Sequence, residues 1–86
     1  MHIARTEFME ITGIAPERLQ EILALGWIEA TSDAFHDNDI YRVKKLERIC
    51  CDFELPVLGG TIIVDLLERI DELERTVKSL QGMENA

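Results

Sequence analysis

The sequence predicts a mostly helical protein: a small winged helix-turn-helix body followed by a C-terminal coiled-coil helix. Two short helical segments meet at Gly13 near the N-terminus, and an amphipathic segment follows a turn-rich stretch. Apolar residues in a heptad pattern then fill the C-terminal third. We expect residues 1–55 to form the body, residues 56–81 the coiled-coil helix and residues 82–86 a disordered tail.

The first two helices are predicted from their end signals. Thr6 is a suitable N-cap for the first helix, and Gly13 is a suitable stop. Pro16 suits the first position of the second helix, where its missing N–H costs no hydrogen bond. Gly26 can end that helix in a left-handed conformation. The three-residue connection between the two helices is typical of a helix-turn-helix.

A small hairpin, the wing, is predicted after the second helix. Trp27 and Ile28 are expected to form a first short strand, residues 31–33 a turn, and Phe35 the returning strand. Trp27 would then be a core anchor beneath the wing.

A longer third helix is predicted from residues 37–39, which can cap it, to about Leu55, because Pro56 stops it. Its apolar residues recur at three- and four-residue steps, which indicates one buried side. They are Ile40, Val43, Leu46, Ile49, Cys50 and Phe53.

The last helix is predicted to begin within residues 57–61 and to end before Gly82. Its apolar positions alternate steps of three and four residues, as in a coiled coil. These positions, called the heptad stripe below, are Ile63, Leu66, Ile70, Leu73, Val77 and Leu80. A helix of about 20 residues extends roughly 30 Å, which is more than the rest of this chain can cover. We therefore expect the heptad stripe to form a homodimer interface rather than to pack on the body of the same chain.

Size, charge and cysteine content limit the possible functions. The chain has 86 residues and a net charge of -8, so it repels phosphate backbones and anionic lipids and suits basic protein partners. Its two cysteines, Cys50 and Cys51, are adjacent and provide no disulfide framework. No signal peptide and no apolar run of about 18 residues is present. We therefore expect a cytoplasmic protein with reduced thiols.

No enzyme or metal signature is found. The sequence contains no nucleophile motif, no Gly-rich phosphate loop and no histidine placed beside a carboxylate pair. Cys50, Cys51 and His36 lack the spaced ligand pairs of a zinc site, and Cys50 is expected to be buried. We predict that the protein is not an enzyme, has no catalytic residues and requires neither metal nor cofactor.

Five motifs follow one another along the chain: Thr6-Glu7-Phe8, Gly13-Ile14-Ala15-Pro16-Glu17-Arg18-Leu19, Leu25-Gly26-Trp27-Ile28-Glu29, Phe35-His36-Asp37-Asn38-Asp39 and Leu66-Leu67-Glu68-Arg69-Ile70-Asp71-Glu72-Leu73. With the order of the elements, these motifs resemble the MerR superfamily, and within it the chaperone modulators called CbpM. The similarity covers about nine-tenths of the chain, judged by motif order. Ala30 departs from the proline of the CbpM pattern, and the wing lacks the Arg-rich segment of DNA-binding members.

The resemblance implies an antiparallel homodimer that binds the J-domain of a DnaJ/CbpA-like co-chaperone and inhibits or tunes it. J-domains engage Hsp70 through a basic helix, so an acidic surface suits them by charge complementarity. The candidate contact residues, called the acidic face below, are Glu7, Glu10, Glu17 and Glu21. The plainer interpretation of these acids is ordinary solvation of helix exteriors.

The alternative hypothesis is a MerR-family DNA-binding transcriptional regulator, and a third is a purely structural coiled-coil element. DNA affinity comes largely from Lys and Arg contacts to phosphates, but the candidate recognition helix offers Arg18 alone, against Glu17 and Glu21. DNA binding is therefore disfavoured. A basic cluster on the third helix is interpreted as a solvated side balanced by Glu47 and nearby acids; it comprises Arg42, Lys44, Lys45 and Arg48.

Overall fold

In this computed structural model, the structure describes residues 2–30 and 34–84. The elements in chain order are β1 (Ile3–Ala4), α1 (Arg5–Thr12), α2 (Pro16–Ala24), β2 (Ala34–Phe35), α3 (Asp37–Phe53) and α4 (Val57–Glu84). The predicted fold class is confirmed: the described part of the chain is mostly helical, with four helices, of which the C-terminal one is the longest, and a two-stranded sheet. No helix of the described ranges combines the length and apolarity needed to cross a membrane.

The helix-turn-helix forms largely as its end signals predict. Gly13 has φ 74° and donates its N–H to the Met9 carbonyl at 2.8 Å, which ends α1. Pro16 opens α2, and Gly26 follows it with φ 72°. The prediction that Thr6 caps α1 is wrong, because Ala4 holds that position and α1 begins at Arg5. β1 leads directly into α1, so the helix begins before Thr6.

The predicted pairing of the hairpin is wrong. Trp27 and Ile28 form no strand, and β2 pairs instead with β1, antiparallel, with Ile3 opposite Phe35. Ile3 and Phe35 are both buried, so this pairing covers two apolar side chains at once. The Trp27 carbonyl accepts a hydrogen bond from Arg42 at 2.9 Å instead of joining a strand ladder. The predicted turn at residues 31–33 lies outside the described residues.

α3 begins where residues 37–39 predict and ends two residues earlier than expected. The Asp39 carboxylate accepts the His36 backbone N–H at 2.9 Å, closing the N-terminal turn. Glu54, with φ 51°, ends the helix in a left-handed conformation. Phe53 was predicted to be buried and is 69% exposed, because it is the last helical residue and lies beside Leu67 rather than in the core.

The core lies between the helix-turn-helix, the sheet, α3 and the first turns of α4. Phe8 and Phe35 stack at its centre with ring centroids 4.1 Å apart. Cys50 is buried as predicted, and this burial raises the pKa of its thiol, with Glu47 as a lesser cause. The buried apolar residues are Ile3, Phe8, Ile14, Leu19, Ile22, Ile28, Phe35, Val43, Leu46, Ile49, Cys50, Val57 and Val64.

α4 has 28 residues and so extends about 42 Å. It begins within the predicted window but continues through Gly82 to Glu84, although it was expected to end before Gly82. A glycine inside a helix costs only about 1 kcal/mol relative to alanine, so it need not end one. Residues 85–86 lie outside the described residues. The division of the chain into body, coiled-coil helix and tail stays a prediction.

Candidate functional site

The heptad stripe is exposed along most of α4. Leu66, Ile70, Leu73, Val77 and Leu80 each expose between 48% and 57% of their surface. Ile63 differs, because it packs partly against the core. Residues Val57, Thr61 and Val64 of the same helix are buried against the body, and the helical period of 3.6 places them on the opposite side from the stripe. The body therefore leaves the predicted dimer interface exposed, apart from Ile63.

Additional apolar side chains widen this exposed region near the base of α4. Leu58 and Ile62 are more than half exposed. Beside them, an apolar groove of about 480 Å³ lies between the end of α3 and the start of α4. Its lining residues are Ile49, Phe53, Leu55, Ile63 and Leu67. The heptad pattern did not indicate this groove, because α3 supplies two of its residues, Ile49 and Phe53, and the connection after α3 supplies Leu55.

Arg42 joins α3 to α4 and to the loop after α2, which the sequence did not predict. Its guanidinium donates to Asp65 Oδ1 at 2.9 Å and to Glu68 Oε1 at 3.0 Å. It also donates to the Trp27 carbonyl and lies 4.0 Å above the centre of the Trp27 ring. The Trp27 indole N–H donates to Asp65 Oδ1 at 2.8 Å. We call these four residues the Arg42 network.

The Arg42 network changes the interpretation of two residues. Arg42 was assigned to a solvated basic cluster, but its side chain is only 18% exposed and has two carboxylate partners. Trp27 was expected beneath a wing strand, and it is instead half-buried between the core and Arg42. The signal that could have found this contact is the pair of acids, Asp65 and Glu68, one helical turn apart. The network therefore connects α4 to α3 and to the loop after α2.

The acidic face is exposed on the outer sides of α1 and α2. None of Glu7, Glu10, Glu17 and Glu21 forms an ion pair with another described residue. The one cation of α2, Arg18, instead pairs with Glu47 of α3 at 3.3 Å. The helix that would read DNA in a helix-turn-helix therefore presents free carboxylates, while its cation is bound to the body.

The same ion pair corrects the interpretation of the basic cluster on α3. Glu47 was expected to balance that cluster, but it is directed at Arg18 of another helix. Lys44, Lys45 and Arg48 form no ion pair with any described residue. Across residues 2–30 and 34–84, no group of three or more His, Cys, Asp or Glu side chains is placed to hold a metal ion.

Comparison with known proteins identifies one family. The family model described as MerR HTH family regulatory protein matches residues 3–82. The matched segment includes the helix-turn-helix, the two-stranded sheet and nearly all of α4. No curated protein and no solved structure matches the chain significantly.

Proposed function

The chain belongs to the MerR HTH family of regulatory proteins, a non-enzymatic family, and from this membership we propose that it regulates by binding another protein. The prediction that it is not an enzyme is thereby confirmed. The specific function we propose is that of a CbpM-type chaperone modulator. It would bind the J-domain of a DnaJ/CbpA-like co-chaperone and inhibit or tune it.

The acidic face is the observation that carries this proposal. A MerR-type DNA reader needs cations on α2 and nearby elements to neutralise phosphates. This α2 exposes Glu17 and Glu21, and Arg18 is paired with Glu47. Such a surface suits a basic protein helix, and charge complementarity of this kind chiefly sets partner choice and association rate.

The proposal is tested by titrating the full chain with the cognate J-domain. We expect binding at micromolar concentrations that weakens as salt is added, because salt screens exposed charges. Glu17→Lys with Glu21→Lys should weaken binding at least tenfold. The matched control is Asp52→Lys with Glu74→Lys, which changes net charge equally at exposed, unpaired acids of α3 and α4. No binding by the wild type at micromolar concentrations would reject the J-domain as partner; equal loss in both variants would reject the acidic face as the site.

We also propose that the protein is a homodimer held by the heptad stripe. The steps 3-4-3-4-3 read the same in both directions. An antiparallel pair therefore sets Ile63 of one copy opposite Leu80 of the other, Leu66 opposite Val77, and Ile70 opposite Leu73. A parallel pair is the competing arrangement, because Ile or Val alternating with Leu in a heptad favours parallel two-stranded coils.

The distance between two spin labels distinguishes the two arrangements. Each copy carries one label on Gln81→Cys, and Cys51→Ser leaves the buried Cys50 as the only native thiol. In a parallel pair the two labels meet at the same end of the coil. In the antiparallel pair the two positions are roughly 28 Å apart along the axis, at about 1.5 Å per residue from the centre of the stripe. A short distance would reject the antiparallel arrangement, and a monomeric mass would reject the dimer itself.

The second candidate function is DNA-binding transcriptional regulation, which the helix-turn-helix description of the family favours. A gel shift at low salt, with promoter fragments from the same genome, tests it. We expect no retention for the wild type. If the wild type retards a DNA fragment, and this retardation is lost in Arg18→Ala and at raised salt, DNA regulation would be favoured over chaperone modulation.

A further inference from the structure

We propose that the outer side of α3 binds an acidic segment of a partner protein. This surface, called the basic face, consists of Tyr41, Lys44, Lys45 and Arg48. These residues recur at steps of three and four and so share one side of the helix. The proposal goes beyond the J-domain contact, because it concerns a different element and a surface of the opposite charge.

The basic face lies opposite the side of α3 that packs into the core. Val43, Leu46 and Cys50 are buried there, whereas Tyr41 is 60% exposed. The Lys45 ammonium lies 5.6 Å from the centre of the Tyr41 ring. A shallow depression of about 280 Å³ is lined by the four residues of the basic face. Methylene stems and the phenol ring give the depression an apolar lining, while the charged groups remain in solvent.

The cations of the basic face have no carboxylate partners within the described residues. Of the acids of α3, Glu47 pairs with Arg18 and Asp39 accepts the His36 N–H. Asp52, one turn after Arg48, forms no ion pair with it. Arg5 donates to Gln20, and the other cations with partners are Arg18, Arg42, Arg69 and Arg75. Outside the basic face, only Lys78 lacks a partner among the described Lys and Arg side chains.

This concentration of charge is notable in a chain with 17 acidic and 9 basic residues. Three of the four unpaired cations lie within two turns of one helix, while the surrounding protein is negative. Such a local positive surface attracts a short anionic segment. A large polyanion would also extend over the negative remainder of the protein, whose net charge is -8, and would be repelled by it.

An acidic peptide fits this surface better than a nucleic acid does. Three cations can neutralise only about three phosphates, and DNA-binding proteins typically rely on roughly 6–10 such contacts. Two or three carboxylates about one helical turn apart would match the spacing of Lys44, Lys45 and Arg48. An aromatic or aliphatic side chain between them would occupy the depression beside Tyr41.

The test is a titration of the ¹⁵N-labelled full chain with a twelve-residue peptide of Glu and Asp around a central Tyr. The comparison peptide replaces every Glu and Asp by Gln and Asn. We expect the acidic peptide to shift the backbone amides of residues 41–48 and the amide peptide to leave them unchanged. Lys44→Gln with Arg48→Gln should weaken binding about threefold to tenfold, as expected for two exposed ion pairs.

The matched control is Arg69→Gln with Lys78→Gln, which removes the same charge from α4 at positions outside the depressions that Tyr41 and Lys45 line and should bind like the wild type. Both pairs of positions are exposed, and far-ultraviolet circular dichroism checks that the variants remain folded. Absence of shifts at residues 41–48, or equal weakening in both variants, would overturn the proposal. Tighter binding of a 20-base-pair duplex than of the acidic peptide at the same residues would overturn it in favour of a nucleic-acid contact.

Discussion

The two halves of α4 differ sharply, although one uninterrupted helix contains both. In residues 57–68, Val57, Gly60, Thr61 and Val64 are buried against the body, and the Arg42 network holds the same segment from the side. From Arg69 to Met83, every residue is exposed. The heptad stripe nevertheless runs through both halves with unchanged spacing.

This difference shows that the heptad pattern predicts which side of the helix is apolar. It does not predict whether that side packs on the body or faces solvent. The inner half has two apolar sides, one against the body and one facing solvent. The outer half has only the stripe. An isolated helix of about 15 residues is marginal in water, so we expect the outer half to gain stability from the proposed dimer, whereas the inner half is packed on the body. The predictions below use matched changes in the two halves.

The largest effect is expected for Val64→Asp in the inner half. Val64 is fully buried, and an unpaired carboxylate there should lower the free energy of unfolding by about 3–5 kcal/mol. A single domain has only about 5–15 kcal/mol in total, so much of the population should unfold. Urea denaturation followed by circular dichroism measures this. The matched change in the outer half, Leu73→Asp, should leave the body folded; if the two variants unfold alike, the two halves are not independent.

Ile70→Glu with Leu73→Glu should dissociate the dimer while preserving the fold of the body. Charges in a coiled-coil seam remove the packing that holds it together, and we expect at least a hundredfold weaker self-association, about 2.7 kcal/mol. Light scattering across a concentration series should change from twice the monomer mass to the monomer mass. Glu74→Gln, an exposed change next to the stripe, serves as the control. A wild type that remains monomeric at high concentration would contradict the dimer.

Arg42→Ala should loosen the junction between the body and α4. It removes hydrogen bonds to Asp65, Glu68 and the Trp27 carbonyl, and charge-assisted bonds of this kind contribute roughly 1.5–3 kcal/mol each at most. We expect a net loss of about 2–3 kcal/mol in unfolding free energy and a changed Trp27 fluorescence. Arg42→Lys should recover only part of the lost unfolding free energy, because an ammonium group cannot reproduce the several hydrogen bonds of the planar guanidinium.

The control for Arg42 is Arg69→Ala, which breaks an exposed ion pair with Glu72 in the outer half. Such pairs contribute about 0–1 kcal/mol. Equal losses for Arg42→Ala and Arg69→Ala would mean that the Arg42 network does not fix α4 to the body.

The smallest effect is expected for Gly82→Ala at the end of the outer half. Nothing lies within 4 Å of a Cβ built at Gly82, and alanine favours a helix over glycine by about 1 kcal/mol. The variant should show more protected amides in the last turn and an unchanged unfolding midpoint of the body. Hydrogen exchange measures the protection, and urea denaturation measures the midpoint. Gly60→Ala is the contrasting change in the inner half, because its Cβ would come 2.7 Å from Leu46 Cδ1, and overpacking of this kind costs about 1–3 kcal/mol.

Local signals predicted much of the fold because they act through neighbouring residues. Gly13 and Gly26 end helices by adopting positive φ, and Pro16 opens one; each needs only its own turn of chain. The strand pairing was not predictable in this way. Ile3 and Phe35 are far apart in sequence, and two-residue strands have no periodicity to detect.

The candidate surfaces divide in the same way. Spacing alone predicted the heptad stripe, and the family resemblance singled out the acidic face; both are exposed, apart from Ile63, and their roles stay predictions. The basic face could be recognised only in the structure. The sequence does not show that Glu47 pairs with Arg18, or that Arg42 pairs with α4 and so is not part of the exposed cluster.

The sequence by itself determined the order of the helices, most of their ends and the apolar side of the C-terminal helix. These depend on backbone preferences and on hydrophobic periodicity within one element. Only the tertiary structure decided which charges are paired, which strand meets which, and where α4 leaves the body. Ion pairs and strand ladders join residues distant in the chain, and whether a cation such as Arg18 or Lys44 has a partner depends on which helices pack together.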